Sequence, residues 1–179
     1  MNMRSEILVA ILDSDRVASH SIQLLINNNF KAQVGAFYAA EDFYKKLQLK
    51  PDIVIVEFNL PDATGFDVLH KIQTVSPNTK VIFMSNQLDT VVIKKLMNSS
   101  IHDYIVKSER ALNNLQLSLE IIYNEKRSMQ NFMKETFGNR NEILSKFKGS
   151  VNKFFGGNEL DEFGKEIDDI KLKHPDRKF

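Results

Sequence analysis

The sequence predicts an α/β protein on a five-stranded parallel sheet, wound with helices on both faces. Three observations carry this. Short apolar runs alternate with amphipathic stretches at helical spacing, giving five strand candidates within about 120 residues. Those runs lack the in–out alternation of a half-exposed strand, so they are expected to be buried on both faces, as parallel strands covered by helices are. The breaks, at Asn27-Asn28-Asn29 and Pro51, fall between elements and not within them. A doubly wound fold of the flavodoxin-like type meets all three conditions.

Ile7-Leu8-Val9-Ala10-Ile11-Leu12 is the first strand, ending at Asp13-Ser14-Asp15. Val17, Ile22, Leu24, Leu25 and Ile26 then mark a helix that stops at Asn27-Asn28-Asn29. Ala32 to Phe37 is the second strand. Ala40 to Leu49 is a helix with Phe43 and Leu47 one turn apart. Pro51 precedes a strand over Asp52 to Val56 that is apolar on both faces. Phe66 to Val75 reads as a helix, Lys80 to Met84 as a strand, Val91 to Met97 as a helix and Asp103 to Val106 as the fifth strand.

Past residue 108 the pattern changes. Leu112, Leu115, Leu119, Ile122, Met129 and Met133 keep three–four spacing, with Lys126 interrupting the stripe. A helix from Glu109 to Thr136 would be about 40 Å long at 1.5 Å per residue, longer than the sheet it covers. Gly138 supplies a stop. Asn141 can cap a second helix bearing Ile143, Phe147, Val151 and Phe154, ending at Gly156-Gly157. Leu160, Phe163, Ile167 and Ile170 mark a third, up to Pro175. The expected organisation is therefore a compact domain over 1–123 and a helical C-terminal extension over 124–179.

Composition narrows the function. Lys and Arg number 24 against 23 Asp and Glu, for a net charge of +1, so total charge does not point to nucleic acid. The absence of cysteine excludes disulfides, thiolate metal sites and cysteine nucleophiles. His20, His70, His102 and His174 lie too far apart in sequence for a helical zinc pair, and read as ordinary residues. The apolar run Ile7 to Leu12 is too short for a signal core or a membrane span, so a soluble, cytoplasmic protein without membrane contact is expected.

In doubly wound sheets function sits at the carboxyl ends of the strands. The first strand ends on Asp13, Ser14 and Asp15. The third ends on Glu57, followed by Asn59-Leu60-Pro61-Asp62-Ala63-Thr64-Gly65. The fourth ends on Ser85 and Asn86, the fifth on Lys107. Carboxylates, a hydroxyl and a lysine at one edge suit phosphoryl chemistry with a divalent cation: carboxylates hold the metal, hydroxyl and ammonium bind phosphoryl oxygens. The bland alternatives are that Asp13 and Asp15 only cap the first helix and that Tyr104 is a half-buried strand aromatic.

On these residues the chain resembles the receiver domain of bacterial two-component response regulators, from residue 5 to about 123. Ile53-Val54-Ile55-Val56-Glu57-Phe58-Asn59-Leu60-Pro61-Asp62-Ala63-Thr64-Gly65-Phe66-Asp67-Val68-Leu69 follows the family's central motif, and Asp103-Tyr104-Ile105-Val106-Lys107 its last strand. The resemblance implies that Lys107 is the family lysine, Tyr104 the switch aromatic and Ser85 the conformation-coupling hydroxyl. It also exposes departures. Glu57 stands where the family has its phosphoaccepting aspartate, and Ser14 replaces one member of the acidic pair unless Asp15 substitutes. Ser108 follows Lys107 where proline is usual.

The extra methylene moves the carboxylate by about a bond length, which in-line phosphoryl transfer tolerates poorly. The expectation is a non-enzymatic pseudo-receiver in signal transduction or regulation, with no catalytic residue. Its degenerate phosphoacceptor pocket comprises Glu57, Asp13, Ser14, Asp15, Ser85 and Lys107, and Glu57 pairs with Lys107. No cofactor is expected beyond weak Mg²⁺ binding at Asp13, Glu57 and Asn59. The expected partner is a signalling protein, with a second copy joined through the extended last helix. Nucleic acid is the rival: seven basic residues between Lys126 and Lys153 face only Glu135 and Glu142. That would make a DNA-binding transcription regulator, although no helix-turn-helix signature accompanies the basic helices.

Overall fold

The structure is a computed structural model that describes residues 6–86 and 89–137, with side chains as far as Phe132. The chain divides at Asn124 and Glu125 into two units, and the sheet belongs to the first. Its strands are β1 (Ile7–Leu12), β2 (Ala32–Phe37), β3 (Ile53–Val56), β4 (Lys80–Ser85) and β5 (Asp103–Val106). All pairings are parallel and the order is β2-β1-β3-β4-β5. The chain leaves β1 towards one edge and resumes at β3 on the other side. That reversal makes the ends of β1 and β3 the switch point, where such sheets place ligands.

The helices are α1 (Arg16–Asn29), α2 (Ala40–Lys46), α3 (Gly65–Val75), α4 (Thr90–Met97) and α5 (Ala111–Phe137). Alternate side chains of the central strands feed two cores. Ile7, Val9 and Ile11 pack with Ile53, Ile55, Ile22, Leu115 and Leu119 on one face. Ala10, Leu12, Val54, Val56 and Phe83 pack with Phe43, Val68, Ile72 and Leu96 on the other. Each fully buried branched or aromatic side chain contributes about 1.5–3 kcal/mol, and this is why β1 and β3 read as apolar throughout and β4 from Val81 to Met84. The edge strands β2 and β5 depart from that expectation, being largely half-exposed because each has one neighbour only.

Several boundaries differ from the periodic reading by one to three residues, and two of them have a visible cause. The expected helix over Ala40–Leu49 stops at Lys46 and tightens into a 3₁₀ turn at Leu47–Leu49, followed by Lys50 at φ 52°. The third strand begins at Ile53, since Asp52 turns its carboxylate back to accept the Leu8 N–H at 2.8 Å.

The caps explain how the loops at the carboxyl edge are held. Asp15 accepts the Val17 and Ala18 N–H groups at 2.9 and 3.1 Å, capping α1. Thr64 and Asp67 form a reciprocal capping box on α3. Ala39, at the start of α2, has no capping side chain. Asp62 serves that helix from the β3–α3 loop, accepting the Ala40 and Glu41 N–H groups at 2.9 Å each.

In α5, Ala111, Leu115, Leu119 and Ile122 are buried, and Leu112 is partly so. The stripe then comes to the surface: Met129 is exposed, as are Leu117, Ile121 and Phe132, which the stripe did not include. Met133 and the expected helices beyond Asn141 lie outside the described side chains. Among the described residues no helix is long and apolar enough to cross a membrane.

Candidate functional site

Ladder geometry gathers the site. Asp13, Glu57 and Lys107 each follow directly on a strand, and Ser85 is the last residue of β4. Each parallel ladder runs one residue on: Glu57 N–H donates to the Leu12 carbonyl at 2.9 Å, and Lys107 N–H to the Ser85 carbonyl at 3.0 Å. Asp13 N–H donates to the Phe37 carbonyl at 3.1 Å. Four side chains from four adjacent strands thus converge through backbone register alone.

Glu57 is the centre of the cluster and is 8% exposed. Its Oε1 accepts the Phe58 N–H at 2.6 Å, the Asn59 N–H at 3.4 Å and the Ser85 hydroxyl. Its Oε2 lies 2.6 Å from Lys107 Nζ. The same ammonium donates to Asp13 Oδ2 at 2.8 Å, while Asp13 Oδ1 accepts the Asp15 N–H at 2.9 Å. The Ser85 hydroxyl is also hydrogen-bonded to the phenol of Tyr104, whose ring stacks on Phe83 with centroids 6.3 Å apart. A continuous path therefore runs from Lys107 through Glu57 and Ser85 to Tyr104.

Electrostatics follow from this burial. Desolvation pulls the Lys107 ammonium down, but its hydrogen bonds to Asp13 and Glu57, with their charges, outweigh that and hold it above the ordinary lysine value. Burial pushes the Tyr104 phenol up; the Ser85 hydrogen bond draws it back and the Glu57 charge adds to the rise. Asp15 is held below the usual carboxylate range by the Ala18 and Val17 N–H groups it caps.

Of the residues singled out from the sequence, the fold brings Asp13, Glu57, Ser85, Lys107 and Tyr104 together. Ser14 is exposed. Asp15 serves α1 as its cap, and Asn59 joins only through its backbone N–H. Two contributors escaped the sequence reading. Phe58 takes part through its main chain, which no residue type advertises, and the buried Ser19 hydroxyl donates to the Asp13 carbonyl at 3.2 Å.

The donor set does not fit a tightly held divalent cation. Both Asp13 oxygens and both Glu57 oxygens already face protein hydrogens, and no cluster of three acidic or histidine side chains suited to a metal occurs among the described residues. The hydroxyl and ammonium suited to phosphoryl oxygens both face the Glu57 carboxylate.

Packing beneath the site depends on Gly65. Its N–H donates to the Phe58 carbonyl at 2.7 Å, and a Cβ there would fall 2.5 Å from the Phe83 ring and 2.7 Å from the Phe58 ring. Only glycine lets α3 start this close to β3 and β4.

Comparison with known proteins agrees with the geometry. The chain is 32% identical over 109 residues to the probable transcriptional regulatory protein SgaR of Hyphomicrobium methylovorum, covering 60% of this chain and 52% of SgaR. It is 28% identical over 103 residues to the regulatory protein LuxO of Vibrio cholerae, covering 56% of this chain and 21% of LuxO. The chain thus spans about half the length of SgaR and about a fifth of LuxO. Among solved structures, the receiver domain of a LuxO repressor protein from Vibrio parahaemolyticus superposes with a TM-score of 0.59 at 18% identity, covering 69% of this chain and 97% of that one. The BeF3-activated DrrB receiver domain gives 0.60 at 20% identity, covering 66% and 98%. At such identities the structural likeness speaks for the fold alone. Residues 9–120 match the profile of the response regulator receiver domain, and the chain belongs to that family.

Proposed function

We propose that this chain is a non-phosphorylatable receiver module that acts in signalling through protein–protein contacts and not as an enzyme. The observation that carries the reading is the occupancy of the pocket by its own glutamate: the Glu57 carboxylate engages Ser85, Lys107 and the Phe58 N–H together. Those are the donors a phosphoryl group would need. Glu57, carried over from the family motif, is the residue at the phosphoacceptor position. Its longer side chain puts a carboxylate where the phosphoryl oxygens would go. Ser14, neutral and exposed, leaves Asp13 without its acidic companion, so Mg²⁺ binding is weak at most.

In this reading the Glu57–Ser85–Tyr104 path fixes the switch aromatic in one arrangement whatever the phosphodonor level. The module presents a constant surface to a signalling partner. Exposed Leu117 and Ile121 on α5 favour a second copy of the chain as one such partner. Because relatives include a transcriptional regulatory protein, DNA binding through the basic C-terminal segment is the second reading.

Co-purification from the native host, with and without nuclease, tests both. Protein partners retained after nuclease, and unchanged by phosphodonor treatment, are the expected result. Partners lost on nuclease treatment, with saturable duplex binding by the purified chain, would establish the DNA reading instead.

A further inference from the structure

Away from the strand-end pocket, a cavity of about 230 Å³ lies between β1–β2 and the underside of α2 with its 3₁₀ turn. Its floor is a cross-strand pair of the smallest kind, Ala10 opposite Gly35. Its walls are the rings of Phe37 and Phe43, which meet edge to face at 5.7 Å, and the side chain of Leu49. The roof cannot drop onto this floor. Asp62 holds the N-terminus of α2, and the left-handed Lys50 ends the 3₁₀ turn at the other end.

Gly35 has no other evident reason to be glycine. A strand interior disfavours it. The β1–β2 register runs residue for residue from Ile7 to Leu12 without a bulge, and a Cβ at Gly35 would meet only the Phe37 ring, at 3.4 Å and beyond. A glycine that is neither bulged nor crowded marks a floor kept low, so that something can approach it.

The rim supplies one charge. Lys46 lines the cavity and has no ion-pair partner among the described residues. The neighbouring Lys45 is engaged by Glu41 at 3.4 Å and Asp42 at 3.0 Å. Lys46 is the one charged side chain among the residues that line the slot, and such a slot is complementary to an apolar body with a single anionic head. The size agrees: an engineered apolar cavity of about 150 Å³ holds benzene.

We propose that this cavity binds a small amphipathic carboxylate, an aromatic or short-chain alkyl acid. Its apolar body lies on Ala10 and Gly35, and its carboxylate meets the Lys46 ammonium. The inference is independent of the Glu57 pocket, with which it shares no residue, and it gives the module a small-molecule input.

Amide NMR titrations of the full chain with phenylpropionate and octanoate, and with phenylpropanamide as the neutral counterpart, test it. Saturable shifts at the amides of Gly35, Lys46 and Leu49 are expected, with the acid binding at least about fivefold tighter than the amide. Lys46→Met, at an exposed position, should erase that difference. Gly35→Val should weaken binding at least about tenfold by filling the floor. The proposal is overturned if neither acid gives saturable shifts by about 10 mM, if acid and amide bind alike, or if binding survives Gly35→Val in a folded protein.

Discussion

Lys107 Nζ sits 2.6 Å from Glu57 Oε2 and 2.8 Å from Asp13 Oδ2, one ammonium bridging two carboxylates at the carboxyl edge of the sheet. The three side chains are 17%, 10% and 4% exposed, so the cluster is largely desolvated. Removing the cation leaves two buried carboxylates side by side. Lys107→Ala should therefore destabilise the fold by about 3–5 kcal/mol, measured by urea unfolding at neutral pH. Combined with Glu57→Gln, the loss should be clearly less than additive. An additive double variant would mean that the two groups are not coupled.

Gly65 gives a second test, through packing and not charge. Adding one methyl group against the Phe58 and Phe83 rings should cost about 1–3 kcal/mol in Gly65→Ala, because both rings are buried in the core, Phe83 on β4 and Phe58 just beyond β3. Thermal unfolding of the variant reads this directly. An unchanged midpoint would show that the start of α3 yields.

Stability should fall in alkali. Burial, reinforced by the Asp52 charge, pushes the Tyr123 phenol up to about 12, and its hydroxyl has no hydrogen-bond partner among the described residues. Tyr44, Tyr104 and Lys107 are raised as well. A raised folded-state value means that the unfolded chain loses its proton first. The stability contribution is whole below about pH 10 and is lost as pH climbs towards 12. Tyr123 alone accounts for about 1–2 kcal/mol of this once solvent screening around its half-buried ring is allowed for. Urea unfolding at about pH 8 and about pH 11 should show the drop, and Tyr123→Phe should reduce it while keeping the ring on Phe30. Equal losses with and without the phenol would assign the effect to other groups.

The apolar side chains exposed on α5 carry a prediction about assembly. Leu117 is 60% exposed and Ile121 54%, and their spacing of four residues puts them one turn apart on the same outer face of α5. Light scattering should report a dimer for the full chain, and the full chain carrying Leu117→Glu and Ile121→Glu should be less associated. Monomers in both cases would move the partner surface elsewhere.

Much of this architecture was legible in the sequence because burial on both faces leaves a plain signature. Ile53 to Val56 and Ile7 to Leu12 are apolar throughout, as strands between two helical layers must be. The pairing of Glu57 with Lys107 was equally legible, since β3 and β5 end at the same edge of the sheet and a buried lysine there needs an anion. What stayed hidden was main-chain and long-range. The Phe58 N–H joins the site through its backbone, and Asp62 caps a helix 21 and 22 residues earlier in the chain. The surface at Leu117 and Ile121 was missed because a three–four stripe records the face turned to the core. It says nothing of apolar residues on the opposite side. Likewise, the cavity over Gly35 depends on how far a 3₁₀ turn stands off the sheet, a distance no periodicity encodes.

The central claim, that Glu57 fills the pocket a phosphoryl group would occupy, is tested most directly by intact-mass spectrometry with peptide mapping after incubation with a small-molecule phosphodonor and Mg²⁺. The unmodified chain should gain no phosphate mass at residue 57. The Glu57→Asp, Ser14→Asp double variant, with the carboxylate shortened and the acidic pair rebuilt, should bind Mg²⁺ and take up one phosphoryl group. A stable phosphate adduct on Glu57 itself would contradict the account.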